Sequence, residues 1–372
     1  MKNLPPNLRM TRAIGVISGT SMDGIDVALI VTDGDAQVQP GAGASYPYAP
    51  ALRAALQAVI SDPARAHREP LDDLEAQVTN AHCGAVQRFM REQGLTRADV
   101  ELVGLHGQTI FHRPQERFTR QLLDGARAAA QLGIDVINRF RHADVEAGGE
   151  GAPFVPLYHQ ALAARLEKPL MVLNWGGVGN VTYLGAGAPL AFDTGPANAL
   201  VDDWMLRHFG RAYDADGAVG ASGTVDLAKV AALMDNPYFD RRPPKSLDRN
   251  DFHRRAHIVE TLSPQDGAAT LAAFTIDATA AALRHVPEPP CRWLVCGGGR
   301  LNRFLMQGLQ TQLGAPVEPV EAVGWNGDFL EAQCFAYLAV RSQLGLPLSL
   351  PSTTNVPVPM PGGDLHRAGQ RT

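Results

Sequence analysis

Two short apolar runs, residues 13–17 and 25–31, flank a polar turn from Ser18 to Gly24, and no other stretch constrains this chain as tightly. The runs predict the two strands of a hairpin. The turn holds two glycines, three hydroxyls and one carboxylate. Glycine lets backbone approach a ligand and adopt positive φ. Adjacent backbone N–H groups and hydroxyls form a concave anion site. Asp23 would repel a phosphate unless a Mg²⁺ ion or its water shell stood between them. The turn therefore reads as a nucleotide-phosphate hairpin. An ordinary hairpin whose Ser and Asp side chains cap their own backbone has the same spacing, so the rest of the chain must decide.

The chain has 372 residues, enough for two domains of about 100–200 residues each. A net charge of −5 offers no basic surface for nucleic acid. Cys83, Cys291, Cys296 and Cys334 lack metal-like pairing and read as free thiols, which suits a reducing cytoplasm. The polar, Pro-rich first twelve residues have no signal-peptide core, and no apolar run approaches membrane-spanning length. The expectation is a cytoplasmic protein with neither a membrane nor a nucleic acid as partner.

Along the chain, residues 44–48 predict a third strand and residues 50–60 a helix. Residues 71–93 form a long amphipathic helix, and residues 101–105 a strand running into a polar stretch with His106, Gln108, His112 and Arg113. Polar residues just past a strand end are where α/β proteins place ligand contacts; satisfied structural histidines are the alternative. Residues 121–132 predict a helix and 134–138 a buried strand. Arg139 and Arg141 then lead into the Gly-rich loop 148–153, either a polar site or a solvated surface loop.

A second strand–turn–strand with glycines recurs over residues 170–184, about 160 residues after the first, which suggests a duplicated architecture with a boundary near residues 165–169. Asp193, Thr194 and Gly195 sit at a strand end. Pro196 is expected in the first turn of the following helix, placing Asp193 beside backbone N–H groups at a helix start; a plain N-cap is the alternative. Residues 237–252 read as an extended excursion. Gly297, Gly298 and Gly299, between a strand and a helix, suit a nucleoside lying on backbone. A last helix is expected from residue 327 to 344, with Asp328 and Glu331 in its first turn.

Three ligand-type turns, each after a strand, fall in the order of the ATPase fold shared by actin, hexokinase and the Hsp70 chaperones. There is no P-loop lysine motif. Six segments then resemble the anhydro-N-acetylmuramic acid kinase family: Ser18-Gly-Thr-Ser-Met-Asp-Gly-Ile-Asp26, Gly104-Leu-His-Gly-Gln-Thr109, Gly148-Gly-Glu-Gly-Ala-Pro153, Phe192-Asp-Thr-Gly-Pro-Ala-Asn198, Cys296-Gly-Gly-Gly299 and Gly327-Asp-Phe-Leu-Glu-Ala-Gln333. They span nearly the whole chain in family order.

The resemblance implies a two-lobed α/β fold with a nucleotide cleft between related domains, 1–167 and 168–372, the C-terminal helix being free to pack back on the first. It implies ATP and Mg²⁺ as cofactors and a small amino sugar as substrate. Water would open 1,6-anhydro-N-acetylmuramic acid and O6 would take the γ-phosphoryl group, giving N-acetylmuramic acid 6-phosphate in cell-wall recycling. Asp193 would be the catalytic base. Gly19, Thr20, Ser21, Met22, Asp23, Gly24, Ile25 and Asp26 would bind ATP, with Thr194, Gly195, Gly297, Gly298 and Gly299. Asp23 would hold Mg²⁺ through water. His106, Gln108, Arg141 and Glu331 would contact the sugar. The resemblance also suggests a homodimer, which no patch in the sequence demonstrates.

Glu150, Trp175 and Leu247-Asp248 depart from the residues expected of the family and bear on substrate fit. The alternatives are a sugar kinase of the same superfamily without ring opening, a partner-binding nucleotide switch, and a degenerate copy that has lost activity.

Overall fold

The computed structural model describes residues 9–19, 22, 24–248 and 251–369. These form two compact units, one within Met1–Arg165 and Phe329–Thr372, the other Leu166–Asp328.

In the first unit, β1 (Thr11–Ser18) and β2 (Ile25–Thr32) make the expected antiparallel hairpin, extended by β3 (Val38–Tyr46). On the other side of β1 lies β4 (Leu102–Arg113), in parallel, and beyond it β6 (Asp135–Asn138). β5 (Phe118–Leu122) pairs with the far half of β4, and the short strand Asp364–His366 closes the edge on β6. The second unit repeats this plan. β7 (Leu170–Trp175), β8 (Val178–Leu184) and β9 (Leu190–Pro196) form an antiparallel meander, and β10 (Arg292–Cys296) and β11 (Val317–Pro319) add in parallel on the other side of β7. The strand orders β3-β2-β1-β4-β6 and β9-β8-β7-β10-β11 are the same path written twice.

Helices pack on both sheets. Helix Asp72–Glu92 buries Val78, Val86 and Phe89 in the first core. In the second, Phe239, Phe252 and Phe274 cluster with Trp175 and Trp293. Helix Leu330–Gln343 is apolar nearly all round, with an unbroken buried run from Ala332 to Arg341, and it packs on β1, β2 and β4. Its close seat depends on Gly15 and Gly104, paired across β1 and β4. A Cβ at Gly15 would lie 1.9 Å from the Ala332 carbonyl oxygen, and one at Gly104 2.3 Å from that of Phe335. The second unit spans Leu166–Asp328, because this helix has its apolar contacts on the first sheet.

Local expectations needed three further corrections. β4 does not end at residue 105 but runs through His106 and Gln108 to Arg113, because β5 supplies it with a partner. The stretch expected to begin a helix at 121 is partly that strand; the helix is Gly125–Leu132, capped by the Asp124 side chain on the Arg127 N–H. Pro196 closes β9, and the next helix starts at Asn198.

Candidate active site

The phosphate hairpin of the first unit turns tightly. The Met22 N–H donates to the Gly19 carbonyl at 3.1 Å, and Met22 itself has φ +54°. Thr20, Ser21 and Asp23 lie outside the described residues. Gly19 is exposed, Gly24 and Ile25 are buried, and Asp26 opens β2 half-buried.

Gln108 holds this turn from β4. Its Oε1 accepts from Ser18 Oγ at 2.7 Å and from the Tyr48 hydroxyl at 3.2 Å. Its Nε2 donates to the carbonyls of Gly19 and Thr109, each at 3.3 Å. Fully buried and bonded at both ends, the amide acts on the hairpin backbone.

His106, two residues back, is also buried, with its ring on Phe335. The Arg141 Nε donates to its Nε2 at 2.8 Å, and its Nδ1–H donates to the Gly107 carbonyl at 2.9 Å. Burial, then the Arg141 charge, hold this imidazole well below its ordinary pKa, so it is neutral. Arg141 also donates from Nη1 to the Gly151 carbonyl and stacks over the Phe154 ring.

The Gly-rich loop 148–153 is held mainly through backbone. The Asp144 carboxylate accepts from Gly151 N–H at 2.7 Å, Thr354 Oγ1 at 2.6 Å and Ser349 Oγ. The Glu150 N–H donates to the Thr354 carbonyl, and its own carbonyl accepts from His112 Nε2 at 3.0 Å. The loop thus uses the Glu150 backbone, which any residue supplies.

Glu331 stands in the first turn of helix Leu330–Gln343. It keeps solvent contact, yet surrounding protein raises its carboxyl above the ordinary value. The Arg141 guanidinium opposes that shift and the Asp26 carboxylate adds to it. His106, Arg141, Glu331 and Asp26 therefore form one electrostatically linked group.

In the second unit the β8–β9 register slips after Gly179: Asn180 pairs with Asp193, but Gly179 pairs with Gly195. Such a bulge re-aims side chains. Asp193 is half-buried on this edge strand, and its Oδ2 accepts from the Leu247 N–H at 2.8 Å. Thr194 is buried, and its hydroxyl has no partner among the described residues. The N–H groups of Ala197, Asn198 and Ala199 donate to the Gly176 and Gly177 carbonyls. The helix start expected beside Asp193 thus already has its donors engaged.

The Gly297 turn has φ +74° and lies against the β7 end, where a Cβ would meet Asn174 Oδ1 at 2.3 Å. Gly298 and Gly299 begin a short 3₁₀ turn. Trp175 is fully buried, donating from Nε1 to Thr279 Oγ1 at 3.0 Å, so this departure is a core residue. Arg300 ties the glycine turn down, reaching the Gly297 carbonyl, Glu321 and Asp328. Neither Asp144 nor Arg300 was singled out in the sequence, where only proximity to a glycine run marks them.

No group of three or more His, Cys, Asp or Glu side chains suited to a metal occurs among the described residues. No described helix is long and apolar enough to cross a membrane.

The two sheets share one strand path, each with a glycine turn after its first strand, which is the duplicated α/β architecture that the resemblance implies. A family model described as anhydro-N-acetylmuramic acid kinase matches residues 11–363. The anhydro-N-acetylmuramic acid kinase of Paramagnetospirillum magneticum is 52% identical over 356 residues, 95% of this chain and 99% of that one. The enzyme of the same name from Rhodospirillum rubrum is 51% identical over 353 residues, 94% and 93% of the two chains. The chain belongs to the anhydro-N-acetylmuramic acid kinase family.

Proposed function

We propose that this protein is an ATP-dependent kinase that hydrolytically opens 1,6-anhydro-N-acetylmuramic acid and phosphorylates O6. The family match over residues 11–363 supports the reaction class. The observation that carries the chemistry is Asp193, an edge-strand carboxylate whose Oδ2 accepts from the Leu247 N–H.

Asp193 takes a proton from water as the water oxygen bonds to C1. The C1–O6 bond breaks, and O6 attacks the γ-phosphorus. The bond from that phosphorus to the β–γ bridging oxygen breaks, and ADP leaves. A placed general base contributes about 10²–10⁴-fold. No separate strong acid is needed for O6, because the phosphoryl group takes up its charge.

The hairpin from Gly19 to Asp26 cradles the phosphates, with Thr194 and Gly195 as the second phosphate turn and Gly297 to Gly299 on the nucleoside. The buried, unpartnered Thr194 hydroxyl and the left-handed Gly297 turn fit that assignment. Asp23 would hold Mg²⁺ through water, as the resemblance implies, and the ion would neutralise phosphate charge once ATP is bound. His106, Arg141 and Glu331 meet the sugar, Arg141 being suited to the lactyl carboxylate. Gln108 serves by holding the hairpin.

The test is ADP release with the anhydro sugar and with ordinary N-acetylmuramic acid, in the wild type and in Asp193→Asn. Turnover confined to the anhydro sugar and reduced about 100-fold or more in the variant supports the reading. ADP release with the ordinary sugar alone would make the protein a sugar kinase without ring opening.

A further inference from the structure

Residues 237–248, part of the stretch 237–252 expected as an extended excursion, lie along the open edge of β9 and bond Asp193 at three points. Its N–H donates to the Lys245 carbonyl at 2.9 Å. Its carbonyl accepts from the Tyr238 hydroxyl at 2.6 Å. Its Oδ2 accepts from the Leu247 N–H at 2.8 Å. An edge strand otherwise presents unpaired backbone; here the outward-facing N–H and C=O of one residue are both taken by the same strap.

The strap is closed on itself by Lys245. That residue is 6% exposed, and its Nζ donates to the Tyr238 carbonyl at 3.0 Å and to the Phe239 carbonyl at 3.4 Å. It stands 4.5 Å from the Tyr238 ring centroid, with the Phe192 ring beyond. His285 Nε2 donates to the same Phe239 carbonyl at 2.8 Å. A buried lysine spent on backbone carbonyls and aromatic faces is costly unless it holds something in place. What it holds is the return of the chain to Leu247, whose N–H meets the carboxylate.

We propose that Lys245 is a positioning residue for Asp193, pinning the strap so that Leu247 N–H and Tyr238 hydroxyl fix the carboxylate's place and orientation. The inference rests on Asp193 being the base. It also explains why Leu247 can replace a different residue in this segment: the contact is made by backbone.

The experiment compares Lys245→Met and Tyr238→Phe with wild type, in steady-state ADP release with the anhydro sugar and in single turnover with excess enzyme. Both changes are repeated in an Asp193→Asn background. Misplacement of about 1 Å costs up to about 100-fold, so kcat is expected to fall about 10- to 100-fold in Lys245→Met and less in Tyr238→Phe. KM for ATP and for the sugar should stay within about twofold, and neither change should slow Asp193→Asn further. An unchanged kcat, a loss confined to KM, or an equal loss in the Asp193→Asn background overturns the proposal. Near-wild-type turnover by Asp193→Asn itself would overturn the base assignment instead. Should Lys245→Met lose cooperative unfolding, Tyr238→Phe, which removes one hydroxyl, decides the matter.

Discussion

The Nε of Arg141 lies 2.8 Å from Nε2 of His106, and only the guanidinium can be the donor. The hydrogen of the imidazole is thereby confined to Nδ1, where the Gly107 carbonyl receives it. Arginine and histidine are both positively charged on paper, yet here they form a neutral-acceptor pair that locks a guanidinium over the loop 148–153.

Arg141→Lys should separate charge from geometry. A lysine has no planar fork and cannot serve His106 and the Gly151 carbonyl together. KM for the sugar should rise about 10-fold or more, with KM for ATP nearly unchanged. Steady-state kinetics with each substrate varied checks this; equal effects on both would remove Arg141 from sugar recognition.

Asp144→Ala should act through stability. It leaves the Gly151 N–H and the hydroxyls of Ser349 and Thr354 without their common acceptor. Each orphaned buried group costs about 1–3 kcal/mol, so a loss of roughly 3 kcal/mol is expected in urea unfolding. A change within about 0.5 kcal/mol would mean the loop is held by its other contacts.

Acid should destabilise the protein earlier than its carboxylates require. Burial lowers His82 and His112 to about 4 and His159 to about 3, and burial with the Arg141 charge holds His106 well below its ordinary value. The unfolded chain takes up these protons near pH 6.5, whereas in the folded chain His82, His112 and His159 take theirs up only near pH 3–4. Between those values the unfolded state binds more protons, so stability is full above about pH 7 and falls as pH drops through 6.5. His82 alone accounts for about 3 kcal/mol once both states are protonated. Urea midpoints from pH 7.5 to 4.5 test this, and His82→Gln should flatten the slope. A midpoint constant across that range would contradict it.

Arg300→Leu should loosen the Gly297 turn, whose carbonyl it binds at 3.1 Å while pairing with Glu321 and Asp328. KM for ATP is expected to rise severalfold with little effect on KM for the sugar. Isothermal titration with a non-hydrolysable ATP analogue would show the same weakening, and an unchanged affinity would take the turn out of nucleotide binding.

Much of the fold was legible because the signals are local. The β1–β2 hairpin follows from apolar runs around a glycine turn, and the helix Pro50–Ile60 has the bounds expected of it. The repeat of the strand path was visible as a second glycine hairpin at β7–β8. What was hidden depends on distant partners. His106 and Gln108 look like polar residues beyond a strand end, yet both are inside β4, because Arg141, Ser18 and Tyr48 satisfy them. The strap over Asp193 was hidden for the same reason: nothing within residues 237–248 reveals that its hydrogen bonds reach back 45 and 54 positions.

The Gly15–Gly104 pair has a consequence for how this sequence can vary. Neither residue belongs to a ligand turn, and each would be tolerant if judged by chemistry alone. Yet a single methyl at either place would collide with helix backbone, which cannot rotate aside as a side chain can. The helix would have to lift, carrying Glu331 away from Asp26 and Arg141. Saturation mutagenesis scored by growth on the anhydro sugar should therefore find positions 15 and 104 as barren as position 193. No compensating change at 332 or 335 could rescue them, since the obstacle is main chain that every amino acid shares.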